Sequence, residues 1–292
     1  MTDDKYKLDD DSSNKERAEN DPSGNINLIH PNTDVIQGPV VVFVGPKGSG
    51  KTAVLLRLAN YLRKNENISM SINDEFRKDL EYESTISKFE NAMINIKTNP
   101  PRTGGVDFCL VDVRKKTELK CQILEAPGEH YFRPENPTQK QFNNYLDTIL
   151  FNSNYKKIVV FFFEKNMLKT PELKAHYSNR LNLIINKLNL KKDKVLVLYN
   201  KVDKDNELIK DGKVNRREIK KRVYDNPSYS QFKNALQSNK KLKRVPFLPF
   251  SSGTFFDIGP DDQSWSLGKD DYPKEFWSSI ENTIKKNRWS LF

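Results

Sequence analysis

An apolar run, a glycine-rich segment and an amphipathic stretch follow one another directly, and this succession limits the possible folds more than any other feature. The run at 40–44, Val-Val-Val-Phe-Val, has no polar alternation and predicts a strand buried on both faces of a parallel sheet. From Lys51 onwards, apolar residues recur at three- and four-residue spacing, which predicts a helix. These residues are Val54, Leu55, Leu58 and Leu62. The chain therefore contains a strand–loop–helix unit, the repeating element of α/β domains.

The glycine-rich segment has the pattern G-x-x-x-x-G-K-[ST] of a phosphate-binding loop. It comprises Gly45, Pro46, Lys47, Gly48, Ser49, Gly50, Lys51 and Thr52, with Ala53 following. Its glycines let backbone N–H groups converge on phosphate oxygens, and the positive end of the next helix faces the same place. We expect the Lys51 ammonium to neutralise the β- and γ-phosphates and the Thr52 hydroxyl to ligate Mg²⁺. All nine residues, 45–53, are candidate nucleotide contacts.

The remaining apolar runs extend this unit into a larger sheet. An antiparallel hairpin is predicted at 106–113 and 119–126, preceded by a more polar helical stretch at 74–97. Buried strands are predicted at 158–163, 195–199 and 245–250, with helices near 171–190, 215–236 and 273–287. Right-handed crossovers place such helices on both faces of a sheet. We therefore predict an α/β chain with the three-layer P-loop NTPase fold, a mostly parallel sheet with one antiparallel edge hairpin.

A second motif, Asn200-Lys201-Val202-Asp203, directly follows the strand predicted at 195–199. A loop there can meet a base bound over the carboxyl edge of a sheet. The motif resembles the guanine-specificity element of the P-loop GTPase superfamily, Ras-like and translation-factor-like, and residues 39–255 resemble that family in motif order. The resemblance implies that Asn200 braces the loop, that the Lys201 stem covers the base, and that Asp203 accepts from guanine N1–H and the exocyclic amine. Adenine would leave Asp203 unpaired, and such a site can discriminate by about 10⁴.

Three further segments match the same family in the same order. The segment Glu125-Ala126-Pro127-Gly128 resembles the γ-phosphate-sensing D-x-x-G element, although this chain has Glu where the family usually has Asp. The resemblance implies that Gly128 supplies an amide and that Glu125 holds a magnesium water. Thr103 stands where such proteins carry the first-switch threonine, a further metal and phosphate contact. Ser251-Ser252-Gly253 resembles the final base-contacting loop, in which the backbone N–H of Ser252 would face guanine O6.

The residues that would orient the attacking water depart from the family's pattern. Gly128 is followed by Glu129 and His130, where many relatives have Gln or His. His130 either positions water as a neutral imidazole or is a surface loop histidine. Arg102 either stabilises transferring charge in cis or contacts solvent or a partner. The candidate catalytic residues are Lys51, Thr103, Gly128, Glu129 and His130, and we expect slow intrinsic hydrolysis.

Composition limits the other classes of protein. The chain has 292 residues, with 49 Lys+Arg against 39 Asp+Glu, but two cysteines and three dispersed histidines, so neither a disulfide framework nor a structural zinc site is expected. No apolar run approaches the roughly 18 residues of a membrane span, and the acidic start lacks the apolar core of a signal peptide, so we expect the cytoplasm. Residues 1–38 carry nine acidic and four basic side chains and are expected to be disordered. The GTPase-like domain is predicted over 39–292, with insertions near 67–98 and 204–244 and a C-terminal helix.

These observations favour a guanine-nucleotide-binding switch that uses GTP, GDP and Mg²⁺, hydrolyses GTP slowly and contacts a protein regulator or effector. A nucleotide-dependent scaffold with little turnover stays open, because Glu125 and Glu129 replace the usual residues. An RNA-associated GTPase also stays open, because the segment 204–244 is rich in lysine and arginine. A small-molecule kinase would need ATP, which the Asp203 argument opposes.

Overall fold

The computed structural model describes residues 30–96, 108–132, 142–152, 154–210, 213–257 and 263–288. The strands are β1 Val40–Val44, β2 Ser69–Ile72, β3 Cys109–Lys115, β4 Glu118–Glu125, β5 Lys157–Phe163, β6 Lys194–Tyr199, β7 Ile209–Lys210, β8 Lys213–Val214, β9 Phe247–Pro249, β10 Gly253–Asp257 and β11 Gln263–Leu267. The helices are α1 Lys51–Tyr61, α2 Leu80–Ile94, α3 Gly128–Tyr131, α4 Asn144–Phe151, α5 Pro171–Lys187, α6 Arg216–Tyr224, α7 Ser230–Ser238 and α8 Asp271–Arg288.

A central sheet of seven strands has the order β2-β3-β4-β1-β5-β6-β9. The five strands from β4 to β9 are parallel, and β1 lies between β4 and β5. At the other edge β3 is antiparallel to both β4 and β2. This arrangement confirms the predicted mostly parallel sheet with an antiparallel hairpin at its edge.

Helices cover both faces of the sheet. Successive side chains of a strand point to opposite sides, and in β1 and β5 all of them are apolar or buried, so both faces need cover. On one face, Phe43 of β1 packs on Phe276 of α8, with ring centroids 6.0 Å apart. On the other face, Phe161 and Phe163 of β5 both pack on Phe232 of α7, at 5.5 and 5.1 Å. The fold is therefore the predicted three-layer α/β arrangement.

Several elements differ from the sequence prediction. The helix predicted at 215–236 is two helices, α6 and α7, because Pro227 opens a short 3₁₀ turn capped by Asn226. The region expected as an insertion near 67–98 supplies β2, which pairs with β3 and extends the central sheet.

Residues 30–38, expected to belong to the disordered leader, contact the domain. The side chain of Gln122 accepts from the Gln37 backbone N–H at 2.9 Å and donates to the Val35 carbonyl at 3.0 Å. Val35 itself is buried. The ordered contacts therefore begin before Pro39, while residues 1–29 lie outside the described part of the chain.

None of the helices in the described ranges has the length and apolar character needed to cross a membrane.

Candidate functional site

The carboxyl ends of the parallel strands place the sequence motifs at one edge of the sheet. β1 leads into the glycine loop, β4 into the Glu125–Gly128 segment, β6 into the Asn200–Asp203 loop and β9 into the Ser251–Gly253 loop. Neighbouring parallel strands end on the same side, so loops that are far apart in sequence meet there. Ligands of open α/β sheets bind at this edge.

The glycine loop bends at two left-handed residues. Gly48 has a φ of 77° and Gly50 a φ of 83°, which only glycine adopts without strain. Gly50 also stands at the start of α1, and a Cβ there would lie 2.4 Å from the Asn200 amide nitrogen. The loop is therefore closed over the helix N-terminus, the end that favours anions.

Lys51 lies inside this loop. Its side chain is buried, and its ammonium donates to the Gly45 carbonyl at 3.1 Å. Burial lowers the pKa of Lys51, against the opposing charges of Glu125 and Glu129. A phosphate would give this ammonium the direct anionic partner that no described residue supplies within ion-pair distance.

Thr52 and Glu125 form a pair of oxygen groups beside Lys51. The Thr52 hydroxyl donates to Glu125 Oε1 at 3.0 Å, and Glu125 is 2% exposed. Glu125 Oε2 is buried and has no hydrogen-bond partner within the described ranges. Burial raises the pKa of Glu125 to about 7, although Lys51 and Thr52 oppose the shift.

This oxygen pair fits a magnesium ion. Mg²⁺ takes oxygen ligands and retains several waters and phosphate oxygens rather than an all-protein cage. Among the described residues there is no group of three or more His, Cys, Asp or Glu side chains that would hold a metal alone. Thr52 and the unpartnered Glu125 oxygen would therefore hold Mg²⁺ together with phosphate oxygens and water. Thr103, the third predicted metal residue, lies outside the described residues, as does Arg102.

Gly128 brings the segment after β4 against the glycine loop. A Cβ at Gly128 would lie 2.1 Å from the Lys47 backbone nitrogen, so no larger residue fits. The next residue, Glu129, forms an ion pair with the Lys47 ammonium at 2.9 Å. Burial works against ionisation of Glu129, but the hydrogen bond and charge of Lys47 outweigh it and hold the pKa of Glu129 below its ordinary value.

His130 is not a surface histidine. Its side chain is buried, and its Nδ1 forms a hydrogen bond with the hydroxyl of Tyr145 on α4. The two rings also pack edge to face, with centroids 5.6 Å apart. These contacts exclude the surface-loop alternative and place the ring against α4.

Asn200 and Lys201 contact the glycine loop itself. The Asn200 side-chain amide donates to the Ser49 carbonyl at 2.9 Å, and the Lys201 ammonium donates to the Gly48 carbonyl at 2.9 Å. Lys201 also pairs with Glu164 at 3.0 Å. The loop after β6 thus braces the glycine loop, as the resemblance implied for Asn200.

Asp203 lies beside the loop that follows β9. The adjacent Val202 N–H donates to the Phe250 carbonyl at 3.1 Å, which joins the two loops. Asp203 is half-buried, and its charge adds to the effect of burial in raising the pKa of Tyr272 on α8. Ser251 and Ser252 are buried at the same edge.

The loop at 251–253 is fixed from behind by residues that sequence reasoning missed. The Ser252 carbonyl accepts from Trp265 Nε1 at 3.0 Å and from the Gly268 N–H at 3.3 Å. The Gly268 carbonyl accepts from Arg57 of α1 at 2.7 Å. Arg57 is 1% exposed, so its charged group lies in the interior. Glu164 was also missed, and its position directly after a buried strand was the available signal.

The phosphate loop, the Thr52–Glu125 pair and the N-K-x-D loop thus meet at one edge of a mostly parallel sheet. The chain has a three-layer α/β fold with a phosphate-loop motif at the carboxyl edge of its sheet. No protein-family model matches the sequence, and no curated protein matches it.

Two solved structures are similar to the chain at low identity. One is nucleolar GTP-binding protein 1 of Plasmodium falciparum, with 13% identity over 91% of this chain and 93% of that chain and a TM-score of 0.41. The other is the signal recognition particle receptor SRβ–GTP/SRX complex of Chaetomium thermophilum, with 16% identity over 84% of this chain and 98% of that chain and a TM-score of 0.41.

Proposed function

We propose that this chain is a guanine-nucleotide-binding switch that hydrolyses GTP slowly in the presence of Mg²⁺. The observation that supports it most strongly is the direct bonding of the N-K-x-D loop to the phosphate loop, through Asn200 and Lys201. A polar turn without a role in nucleotide binding would not need to contact Ser49 and Gly48. The two motifs therefore form one site.

The chain's own groups divide the binding of the nucleotide. Backbone N–H groups of the glycine loop and the Lys51 ammonium bind the phosphates, because the loop surrounds the start of α1. The Asp203 carboxylate accepts from guanine, and the backbone of Ser252 approaches the base from the neighbouring loop. When the nucleotide binds, the Lys51 ammonium exchanges its hydrogen bond to the Gly45 carbonyl for a contact with phosphate.

Thr52 and Glu125 would hold Mg²⁺, with Thr103 as a further proposed ligand. Bound Mg²⁺ neutralises phosphate charge. Because the Thr52 hydroxyl donates only its hydrogen to Glu125, the lone pairs of its oxygen would stay available to ligate the cation. The second oxygen of Glu125, which has no partner in the described residues, would help to hold the ion through water.

Hydrolysis transfers the γ-phosphoryl group to water. A new bond forms between the water oxygen and the γ-phosphorus while the bond to the β–γ bridging oxygen breaks, and GDP leaves. Gly128 and Thr103 contact the γ-phosphate and hold their loops until it departs, which is the basis of a switch. Glu129, in place of a neutral Gln, is a poorer partner for water near phosphate, so turnover is slow.

The test of this proposal is multiple-turnover phosphate release from GTP, with and without Mg²⁺. Release should require Mg²⁺ and fall by at least about 100-fold in Lys51→Ala, since the variant loses the buried phosphate cation. Lys64→Ala, an exposed lysine just after α1, should keep the original rate. Release no faster than a protein-free blank would contradict hydrolysis and favour the scaffold alternative.

A further inference from the structure

Lys47 is a cation at the phosphate loop that nucleotide binding does not require. Phosphates are held by backbone N–H groups of such loops, so the residue at this position is free to vary for binding alone. Its side chain is 80% exposed and takes no part in the core, yet its ammonium pairs with Glu129. Both partners belong to segments that would meet the γ-phosphate.

The position of this pair is set by the backbone. The Gly128 backbone lies against Pro46 and Lys47, at a distance that excludes any Cβ. This contact holds the backbones of the two segments side by side, so the Glu129 carboxylate and the Lys47 ammonium lie within reach of each other. The hydrogen bond and charge of Glu129 raise the pKa of Lys47, so the ammonium is fully protonated at neutral pH.

The other two lysines of the site have different positions. Lys51 is buried inside the loop against the Gly45 carbonyl. Lys201, in the N-K-x-D loop, pairs with Glu164 and donates to the Gly48 carbonyl. Among the described lysines of the phosphate loop and the N-K-x-D loop, Lys47 is the one paired with the segment after β4.

We infer that Lys47 is a catalytic residue, whose ammonium stabilises in cis the charge that develops on the γ-phosphoryl group during its transfer to water. The inference rests on the proposed GTP hydrolysis and assigns a residue to it. Glu129 holds the ammonium beside the loop until a γ-phosphate, a stronger anionic partner, replaces the carboxylate.

The step balances without a further reactant. The water oxygen bonds to the γ-phosphorus as the bond to the bridging oxygen breaks, and the proton lost by water passes to the phosphate product or to solvent. Lys47 stays protonated throughout and supplies only charge. A cation placed in this way speeds phosphoryl transfer by about 10³–10⁵ when it is an arginine, and we expect at least about 100-fold from a lysine.

The test compares wild type, Lys47→Met and Lys47→Arg in binding GDP, with and without aluminium fluoride, a mimic of the transferring phosphoryl group. Lys47→Met should bind GDP within about threefold of wild type, because backbone groups hold the β-phosphate. Its binding of GDP with aluminium fluoride should weaken by at least about 30-fold, and Lys47→Arg should restore part of this loss. The matched control is Lys64→Met, which removes an exposed lysine just after α1 and should keep both affinities.

The outcomes separate this inference from the proposed function. If wild type binds no GDP, both are overturned. If wild type binds GDP and aluminium fluoride tightens that binding equally in wild type and Lys47→Met, or in neither, the role of Lys47 is overturned and guanine binding stands. Equal melting temperatures for wild type and Lys47→Met would exclude misfolding, as expected for a side chain 80% exposed.

Discussion

Glu125 is the residue in which this site departs most clearly from the family that it resembles. The additional methylene of Glu, compared with Asp, does not keep the carboxylate from the site, because Oε1 accepts directly from the Thr52 hydroxyl. The Glu125 carboxyl group is nevertheless buried at a cost in free energy, because its second oxygen has no hydrogen-bond partner in the described residues. The pKa near 7 follows from that burial.

The raised pKa of Glu125 predicts a pH dependence of stability in nucleotide-free, Mg²⁺-free protein. The native state binds this proton more tightly than the unfolded state does, so the contribution is complete below pH 4.5 and is lost as the pH rises through about 7. The shift corresponds to about 3 kcal/mol in the free energy of unfolding.

Denaturant unfolding of wild type and Glu125→Gln at several pH values checks this prediction. Wild type should lose about 3 kcal/mol relative to the variant between pH 4.5 and pH 8. Curves for the two proteins that stay parallel over this range would mean that Glu125 titrates normally.

Single residues also show where sequence reasoning stops. The glycine loop and the N-K-x-D motif could be identified from the sequence, because each is a continuous segment that contains the polar groups of its own part of the site. The Lys47–Glu129 pair joins residues 82 positions apart, and neither has a local pattern that names the other. The same is true of His130, whose burial depends on Tyr145 of a helix that the sequence reading did not predict.

Among the elements, α1 connects the two halves of the site. Its N-terminus closes the phosphate loop, and two turns later Arg57 reaches the turn that follows β11. There Arg57 donates to the Gly268 carbonyl at 2.7 Å and to Asp270 at 2.5 Å. The Gly268 N–H in turn donates to the Ser252 carbonyl in the loop at 251–253.

Replacing Arg57 should therefore weaken both folding and nucleotide retention. Arg57→Met keeps the apolar stem but leaves the Gly268 carbonyl without its buried donor, at a cost of about 1–3 kcal/mol in the free energy of unfolding. GDP should also dissociate faster, because Ser252 loses its indirect support from α1.

Denaturant unfolding and GDP release rates measure the two effects. Lys64→Met is the matched control, since Lys64 is exposed beside the same helix, and its change should stay within about 0.5 kcal/mol. An unchanged unfolding midpoint for Arg57→Met would contradict the bracing role.

Strands could be predicted from the sequence where all of their side chains are buried. β1, β5 and β6 have unbroken apolar runs and are almost wholly buried, so the pattern and the structure agree. β2 was missed because its sequence, Ser-Met-Ser-Ile, alternates weakly and its residues at the edge of the sheet are largely exposed. The β10–β11 hairpin was missed because its strands, Gly253–Asp257 and Gln263–Leu267, are short and mix polar with apolar residues.

In the whole molecule, part of the basic charge has a structural use. Arg216, in the basic run of α6, pairs with Glu275 of α8 at 2.5 Å. Arg222 pairs with the fully buried Asp205 at 3.2 Å and also with Glu207. These contacts tie α6 to the loop after the N-K-x-D motif, so the run is not simply a solvated helix face.

We propose that Asp203 makes the nucleotide site selective for guanine. Calorimetric titration of nucleotide-free protein with non-hydrolysable GTP and ATP analogues in Mg²⁺ tests it most directly, repeated on Asp203→Asn. Asp74→Asn, an exposed carboxylate next to β2, is the control for loss of charge alone.

Wild type should bind the GTP analogue at least about 100-fold more tightly than the ATP analogue. Asp203→Asn should remove most of this preference, while Asp74→Asn should keep it. Equal affinity for the two analogues in wild type, or an unchanged preference in Asp203→Asn, would contradict the account.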